Sequence, residues 1–101
     1  VSEAGRLVLR RRVAGDPVTW HLYLILCRDG SIYTGITVDV AARYEAHVNG
    51  KGARYTRSHP PEQLLATIAY PDRSAAARAE YKVKQLSAEE KRAYCRQLGA
   101  P

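Results

Sequence analysis

Residues 20–36, which read WHLYLILC, RDG and SIYTGI, decide the fold of this 101-residue chain. Residues 20–27 are a β-rich apolar run, and residues 31–36 are a second run of the same kind. Between them, residues 28–30 supply the Asp and Gly that tight turns favour. The stretch therefore predicts a β-hairpin with antiparallel strands at 20–27 and 31–36.

The register of this hairpin decides whether Tyr23 and Tyr33 can act together. A two-residue loop sets Tyr23 opposite Ile36 and points the two tyrosines to opposite faces of the sheet. A three-residue loop that ends in a left-handed Gly30 sets Tyr23 opposite Gly35 and places both tyrosines on one face. One residue of slip separates the two arrangements, and the sequence allows either.

The segment after the hairpin predicts a helix over about residues 39–48. Thr37 or Asp39 can cap its first turn, because both side chains carry an oxygen that accepts from a free backbone N–H. Apolar residues four apart give this helix its expected buried stripe. The stripe consists of Val40, Tyr44 and Val48.

Beyond this helix the sequence predicts a loop, a strand and another helix. Residues 50–63 are polar and are expected to form a long loop. Residues 64–70, LLATIAY, predict a third strand that Pro71 ends. Ser74 can then cap a helix that runs to about Leu86.

A capping box at residues 87–90, SAEE, starts a last helix that Gly99 closes. The expected fold is therefore α+β, with a small three-stranded antiparallel sheet flanked by three helices. This single domain is expected to span residues 20–101. Residues 1–19 are expected to form an N-terminal extension, either a short strand or a flexible basic arm.

The charge balance favours a polyanionic partner. Sixteen Lys and Arg against ten Asp and Glu give a formal net charge of +6, and the pI is near 9.6. Twelve of the sixteen cations are Arg, whose planar fork suits bidentate contacts to phosphate. Charge alone leaves two alternatives open, a nucleic-acid partner and a basic domain that binds nothing in particular.

Composition excludes several other classes of protein. Hydrophobic residues make up 46% and charged residues 26%, as in a soluble globular domain. No apolar run approaches the roughly 18 residues of a membrane span. Cys27 and Cys95 are too few for a disulfide scaffold, so we expect buried thiols in a reducing, cytoplasmic compartment.

The residues that could carry chemistry form a scattered polar set. The sequence has no CxxC pair, no HxxxH pair and no phosphate-binding Gly pattern, which argues against a zinc site or a nucleotide cofactor. Arg43 and His47 lie four residues apart and project from one face of their predicted helix. The candidate set is Tyr23, Tyr33, Arg43, His47 and Glu80.

Each candidate also has a purely structural interpretation. Glu80 lies at the margin of the apolar stripe of its helix, where a carboxylate can reach inward to a metal. It can equally form an exposed pair with Lys84, four residues later. Tyrosines suit the edge of a core, and Arg43 and His47 suit a solvated helix face. The residues alone leave these alternatives open.

Together these positions resemble the GIY-YIG nuclease superfamily, and more closely its small stand-alone bacterial members. Tyr23 falls at the Tyr of the first motif, in HLY, and residues 33–35, YTG, fall on the second motif. Arg43 and His47 match the helical Arg and the His four residues later. Glu80 matches the metal-binding Glu.

The resemblance covers residues 20 to about 92, with two departures. Residues 49–57, NGKGARYTR, resemble the segment that follows the helix in the stand-alone members. The first Gly of the first motif is His21 here. Some members carry an Asn after the metal-binding Glu, whereas the single Asn of this chain is Asn49.

The resemblance implies metal-dependent hydrolysis of phosphodiester bonds in DNA. Glu80 would hold Mg²⁺ or Mn²⁺, since one carboxylate plus substrate phosphate is often sufficient for Mg²⁺. Arg43 would clamp the scissile phosphate. Tyr33 would act as general base or water-orienting group, with Tyr23 as a positioning hydroxyl. His47 would assist proton transfer or bind phosphate.

The polar loop would supply the nucleic-acid contacts. Lys51, Arg54 and Arg57 would follow the phosphate backbone, and Tyr55 would stack a base. We expect an endonuclease that is selective for strand or structure and has low sequence specificity. The alternatives are a non-catalytic nucleic-acid-binding module and a nuclease subunit whose protein partner supplies specificity. Single-stranded, flap and duplex substrates all stay open.

Overall fold

A computed structural model of the protein describes residues 11–15 and 17–99. In this part of the chain three antiparallel strands form one sheet, in the order β2-β1-β3. The strands are β1 (Trp20–Cys27), β2 (Ile32–Thr37) and β3 (Pro61–Tyr70). The helices are α1 (Val40–Val48), α2 (Arg54–Ser58), α3 (Arg73–Lys84) and α4 (Ala88–Gly99). The predicted α+β class is confirmed, with the short helix α2 in addition to the three expected helices.

The hairpin adopts the three-residue loop. Gly30 has a φ of +88°, a left-handed conformation that glycine adopts without steric penalty. Its N–H donates to the carbonyl of Cys27 at 2.9 Å. Tyr23 consequently pairs with Gly35, and Tyr33 pairs with Ile25. Tyr23 and Tyr33 therefore lie on the same face of the sheet.

The central strand β1 is buried on both faces and organises two apolar clusters. Side chains alternate along a strand, so neighbouring residues of β1 enter different clusters. Leu22 and Leu24 pack with Val83 of α3 and Cys95 of α4. The second cluster lies on the α1 side of the sheet and contains Tyr23, Ile25, Cys27 and Val40. Both cysteines are buried and unpaired, as expected.

Helix α1 begins as predicted, but its buried face differs from the expected stripe. The carboxylate of Asp39 accepts from the N–H of Ala42 at 3.0 Å, so Asp39 is the N-cap. Val48 is 55% exposed, whereas His47 is 1% exposed. The prediction of Val48 as a core residue is wrong because the last turn of α1 directs His47 toward β1 instead.

Helix α3 begins earlier than predicted. Asp72, and not Ser74, is its N-cap, and its carboxylate accepts from the N–H of Ala75 at 2.8 Å. The helix ends at Lys84 and not at Leu86. The error at the start arises because Asp72 and Ser74 can both cap the first turn, and the helix takes the first of them.

The expected long loop at residues 50–63 is partly ordered secondary structure. It contains α2 and the first residues of β3. The N–H of Arg28 donates to the carbonyl of Pro60 at 2.9 Å, next to the point where β3 begins to pair with β1. Glu62 and Gln63 are exposed on this edge strand. The predicted strand at 64–70 is present, and the polarity of these residues explains why the sequence assigns the first three residues of β3 to the loop.

Polar contacts fix the start of the last helix and the chain segment that precedes the sheet. The capping box of α4 is present, with the Ser87 N–H donating to Glu90 at 2.8 Å and the Glu90 N–H donating to Ser87 at 3.1 Å. Residues 1–10 of the expected extension lie outside the described residues. Arg11 forms an ion pair with Glu45 of α1 at 2.9 Å. No helix in the described ranges is long and apolar enough to cross a bilayer.

Candidate active site

A buried hydrogen bond joins the centre of the sheet to α1. The Tyr23 hydroxyl lies 2.9 Å from Nε2 of His47. Both side chains are only 1% exposed. Tyr23 comes from the middle of the central strand and His47 from the last turn of α1. The contact therefore fixes a polar pair between two rigid elements, which is how precise sites are built.

The other ring nitrogen of His47 is held by helix α2. Nδ1 of His47 lies 2.6 Å from the hydroxyl oxygen of Thr56. The Thr56 hydroxyl donates in turn to the carbonyl of Ala53 at 3.0 Å. Thr56 is 2% exposed, and it is the buried residue of α2. The segment after α1 thus closes over the histidine and leaves neither of its ring nitrogens without a partner.

Two glycines allow this close packing. A Cβ at Gly35 would lie 2.5 Å from the Tyr23 hydroxyl oxygen and 2.6 Å from its ring carbon Cζ. A Cβ at Gly52 would overlap the ring of His47 at Nδ1. Real Cβ atoms do not approach other atoms this closely. Gly35 and Gly52 therefore let the backbone lie directly against the two rings of the pair.

Burial keeps both members of the pair uncharged near neutral pH. Burial and, to a lesser extent, the positive charge of Arg43 lower the pKa of His47 to about 4. Burial also raises the pKa of Tyr23 to about 12. A hydrogen bond from Arg43 opposes that rise, while Tyr33 and Glu80 add to it through their charges. Arg43, Tyr33 and Glu80 are therefore all close enough to act on one hydroxyl.

Glu80 forms the pair with Lys84, one of the two interactions that the sequence left open. Its side chain is 23% exposed, so it is half-buried rather than fully solvated. It pairs with Lys84 at 3.3 Å and also acts electrostatically on Tyr23. Within the described ranges no group of three or more His, Cys, Asp or Glu side chains could hold a metal. A metal at this site would rest on one carboxylate.

Aromatic rings extend from the buried pair to the surface. The ring of Tyr33 lies 5.0 Å from that of His47 and 5.9 Å from that of Tyr55. Tyr55 then stacks on His59 at 4.0 Å, with only 8° between the ring planes. His59 also lies 3.7 Å from Asp29. One face of Tyr55 is thus already occupied by His59, and Tyr33 approaches the ring as well.

The predicted nucleic-acid contacts lie beside this row of rings. Lys51, Arg54 and Arg57 are all exposed. None of them forms an ion pair with an acidic residue in the part of the chain that the structure describes. Arg54 and Arg57 flank the buried Thr56 on α2. A single short helix therefore presents cations outward and holds His47 inward.

The five predicted site residues thus come from four different elements. Tyr23 lies on β1, Tyr33 on β2, Arg43 and His47 on α1, and Glu80 on α3. Residues 19–93 match the family model described as the GIY-YIG catalytic domain. The chain belongs to the GIY-YIG family. The resemblance inferred from the motifs is therefore confirmed.

Relatives of this GIY-YIG chain are small bacterial proteins of similar length. A UPF0213 protein of Xanthomonas campestris is 53% identical over 83 residues, which cover 82% of this chain and 81% of the relative. The solution NMR structure of the UPF0213 protein BH0048 from Bacillus halodurans is 44% identical. It covers 82% of this chain and 88% of that one, with a TM-score of 0.53.

A second solution NMR structure, of the protein EF2693 from E. faecalis, is 33% identical to this GIY-YIG domain. The match covers 79% of this chain and 85% of that one, with a TM-score of 0.56.

Sequence reasoning missed Thr56, Gly52 and the position of His59. Thr56 lies within the segment RYTRS, where every other residue is exposed, so no apolar periodicity marks it as buried. Gly52 follows Asn49-Gly50 and reads as part of a turn. The four-residue spacing of Arg43 and His47 indicated that both side chains share one face of α1. It did not show that His47 is buried.

The packing at Gly35 predicts a large effect of one added methyl group. We expect Gly35→Ala to displace the Tyr23 ring and to reduce the free energy of unfolding by about 1–3 kcal/mol, because the buried ring has no room to move. Urea unfolding measures the loss. In a Tyr23→Ala background the same change should cost much less, since the overlapping ring is absent. Equal losses in both backgrounds would contradict this packing.

The low pKa of His47 predicts a stability contribution that acid removes. The folded pKa of about 4 lies below the ordinary 6.5, so the unfolded chain binds more protons between these values. Stability from His47 is complete above pH 6.5 and is lost as the pH falls toward 4. The amount is about 3 kcal/mol. We expect urea unfolding of His47→Gln to lack this change in the free energy of unfolding between pH 4 and 6.5. The same dependence on pH in the variant as in wild type would refute the assignment.

Proposed function

We propose that this GIY-YIG domain is a divalent-metal-dependent endonuclease that hydrolyses phosphodiester bonds in DNA. The observation that carries the proposal is the buried hydrogen bond between Tyr23 and His47, with the Tyr33 ring 6.2 Å from that of Tyr23 and Arg43 on the same helix as His47. Arg43 and Glu80 also act on the pKa of Tyr23. The match to a catalytic-domain model supports a nuclease over a chance cluster. These residues supply a cation, two hydroxyls, a neutral base and a carboxylate.

Arg43 would bind the scissile phosphate. Its guanidinium lowers the pKa of the Tyr23 hydroxyl from α1, which supports a position near that hydroxyl. A guanidinium offers parallel N–H donors that match two phosphate oxygens. Arg43 would hold the phosphate against the tyrosine pair and stabilise charge that develops in the transition state.

Glu80 is the residue that would hold Mg²⁺ or Mn²⁺. A single half-buried carboxylate fits a hard cation that keeps several waters and takes its other ligands from substrate phosphate. When bound, such an ion supplies neutralisation of the phosphate and stabilisation of the leaving oxygen. Lys84 must release Glu80 for this, and an exposed pair at this spacing is worth only a few tenths of a kcal/mol.

The two tyrosines would have different tasks. Tyr23 has a pKa of about 12 and is therefore neutral, so it cannot remove a proton unless it gives its own away. Its hydroxyl lies 2.9 Å from His47, which offers a neutral imidazole. Tyr33 is partly exposed on the same face, and its ring lies 6.2 Å from that of Tyr23. Tyr33 would orient or deprotonate the attacking water, with Tyr23 as its positioning partner.

The exposed cations beside the site would bind the DNA backbone. Lys51, Arg54 and Arg57 contact phosphates without reading bases, which favours low sequence specificity and selection by strand or structure. His59 already stacks on the ring of Tyr55. A nucleic-acid base could therefore contact Tyr55 only by displacing His59 or by meeting the exposed edge of the ring.

A second candidate is a nucleic-acid-binding module without catalysis. The ion pair between Glu80 and Lys84 at 3.3 Å favours it, because a carboxylate neutralised by lysine leaves the basic surface free to bind phosphate. In that case DNA would bind equally well with or without a divalent metal. The same basic surface would serve a nuclease whose protein partner supplies specificity.

Removal of Glu80 tests the proposal. Labelled single-stranded, duplex and flap DNA are incubated with Mg²⁺, Mn²⁺ or EDTA and with wild type, Glu80→Ala or Glu89→Ala. Glu89 is an exposed acid in the first turn of α4 and serves as the matched control. We expect metal-dependent cutting by wild type and Glu89→Ala, and no detectable cutting by Glu80→Ala with an unchanged circular dichroism spectrum.

Full activity of Glu80→Ala would refute the metal assignment. Retarded DNA without cleavage under any metal, by wild type as well as by both variants, would identify the binding module instead.

A further inference from the structure

The hydrogen bonds around Thr56 define which nitrogen of His47 carries the proton. A hydroxyl has one hydrogen, and that of Thr56 is directed to the carbonyl of Ala53 at 3.0 Å. Only lone pairs remain on the Thr56 oxygen, which lies 2.6 Å from Nδ1 of His47. Nδ1 must therefore donate, and in a neutral imidazole Nε2 is then the acceptor.

From this arrangement we infer that Thr56 is a positioning residue: it holds His47 in the Nδ1–H tautomer, so that Nε2 accepts the proton of the Tyr23 hydroxyl. The inference assigns a direction to the whole chain of bonds, from Tyr23 through His47 and Thr56 to the Ala53 carbonyl. Its catalytic meaning rests on the proposed nuclease function, whereas the tautomer itself does not.

The opposite tautomer would require the Thr56 hydroxyl to turn away from the Ala53 carbonyl. With the proton on Nε2, Nδ1 would be an acceptor and would face the Thr56 oxygen, which is also an acceptor while its hydrogen points to Ala53. Thr56 could relieve this only by turning its hydrogen away from Ala53, whose carbonyl would then lose its side-chain partner. That carbonyl would keep the Arg57 N–H, which donates to it at 3.3 Å, so the preference for the Nδ1–H tautomer rests on the one hydrogen bond from Thr56 to Ala53.

The direction of the chain decides what the Tyr23 oxygen can accept. If Tyr23 donates to His47, its oxygen can accept from the guanidinium of Arg43, whose hydrogen bond lowers the pKa of Tyr23. Tyr23 would then be held in one orientation as the positioning partner of Tyr33, the group proposed to orient or deprotonate the attacking water.

Thr56 also connects this chain of hydrogen bonds to the exposed cations of α2. It lies on the inner side of α2, and the cations Arg54 and Arg57 lie on the outer side of the same helix. The close approach of Gly52 to the His47 ring brings the start of this segment against the same side chain. The segment that would bind phosphate is thus the segment that sets the tautomer.

Two variants separate the hydrogen bond from packing. Thr56→Val keeps the size and branching of the side chain but removes the oxygen. Thr56→Ser keeps the oxygen and removes a methyl group. Long-range nitrogen–proton NMR spectra of the His47 ring distinguish its tautomers directly, in the full chain and without any substrate. Dispersed amide signals in the same samples report that each variant is folded.

We expect His47 in wild type and Thr56→Ser to show a protonated Nδ1 and an unprotonated Nε2. In Thr56→Val we expect a mixture with substantial Nε2–H. A wild-type His47 protonated on Nε2 would overturn the inference even if the valine variant failed to fold. An unchanged, fully Nδ1–H histidine in a folded Thr56→Val would also overturn it.

Cleavage kinetics with the same three proteins separate this inference from the proposed function. We expect Thr56→Val to lower kcat by about 100-fold with little change in KM, the size of a general acid–base contribution. Thr56→Ser should restore most of that loss. Absence of cleavage by wild type together with the expected tautomers would refute the nuclease and leave the positioning role intact. Active wild type with equal kcat in Thr56→Val would refute the catalytic role of Thr56.

Discussion

The hydrogen bond between Tyr23 and His47 is the constraint on which the rest of the site depends. It lies in the core, where an unpaired hydroxyl or imidazole would be costly, so each side chain needs the other. Tyr23 can meet His47 only if the β1–β2 hairpin has its three-residue loop, because that register sets Gly35 against the tyrosine ring. The turn at Gly30 thus controls the position of the tyrosine pair.

The same hydrogen bond explains why the segment after α1 is ordered. His47 has a second nitrogen to satisfy, and Thr56 reaches it only when α2 folds back over the last turn of α1. Gly52 permits this return because no side chain separates the backbone from the imidazole. A basic segment that would otherwise be a solvated loop is thereby fixed beside the tyrosines, with its cations outward.

The three strands, their antiparallel pairing and the starts of α1 and α4 could be predicted from the sequence, because apolar runs and capping residues mark them locally. The hairpin register could not, since Gly30 serves both a two- and a three-residue loop. The burial of His47 and Thr56 also escaped prediction. Each is a polar residue among exposed neighbours, and its burial depends on a partner distant in sequence. The five site residues were found by their resemblance to a family, and the structure supplies the contacts among them.

The most direct test of this account is an NMR titration of the His47 ring in the wild-type protein. His47 lies in a buried, uncharged pair with Tyr23, and the positive charge of Arg43 acts on it. Its ring signals should therefore titrate with a midpoint of about 4. A midpoint near the ordinary value of 6.5 would mean that the ring is solvated or protonated, and would contradict the central claim.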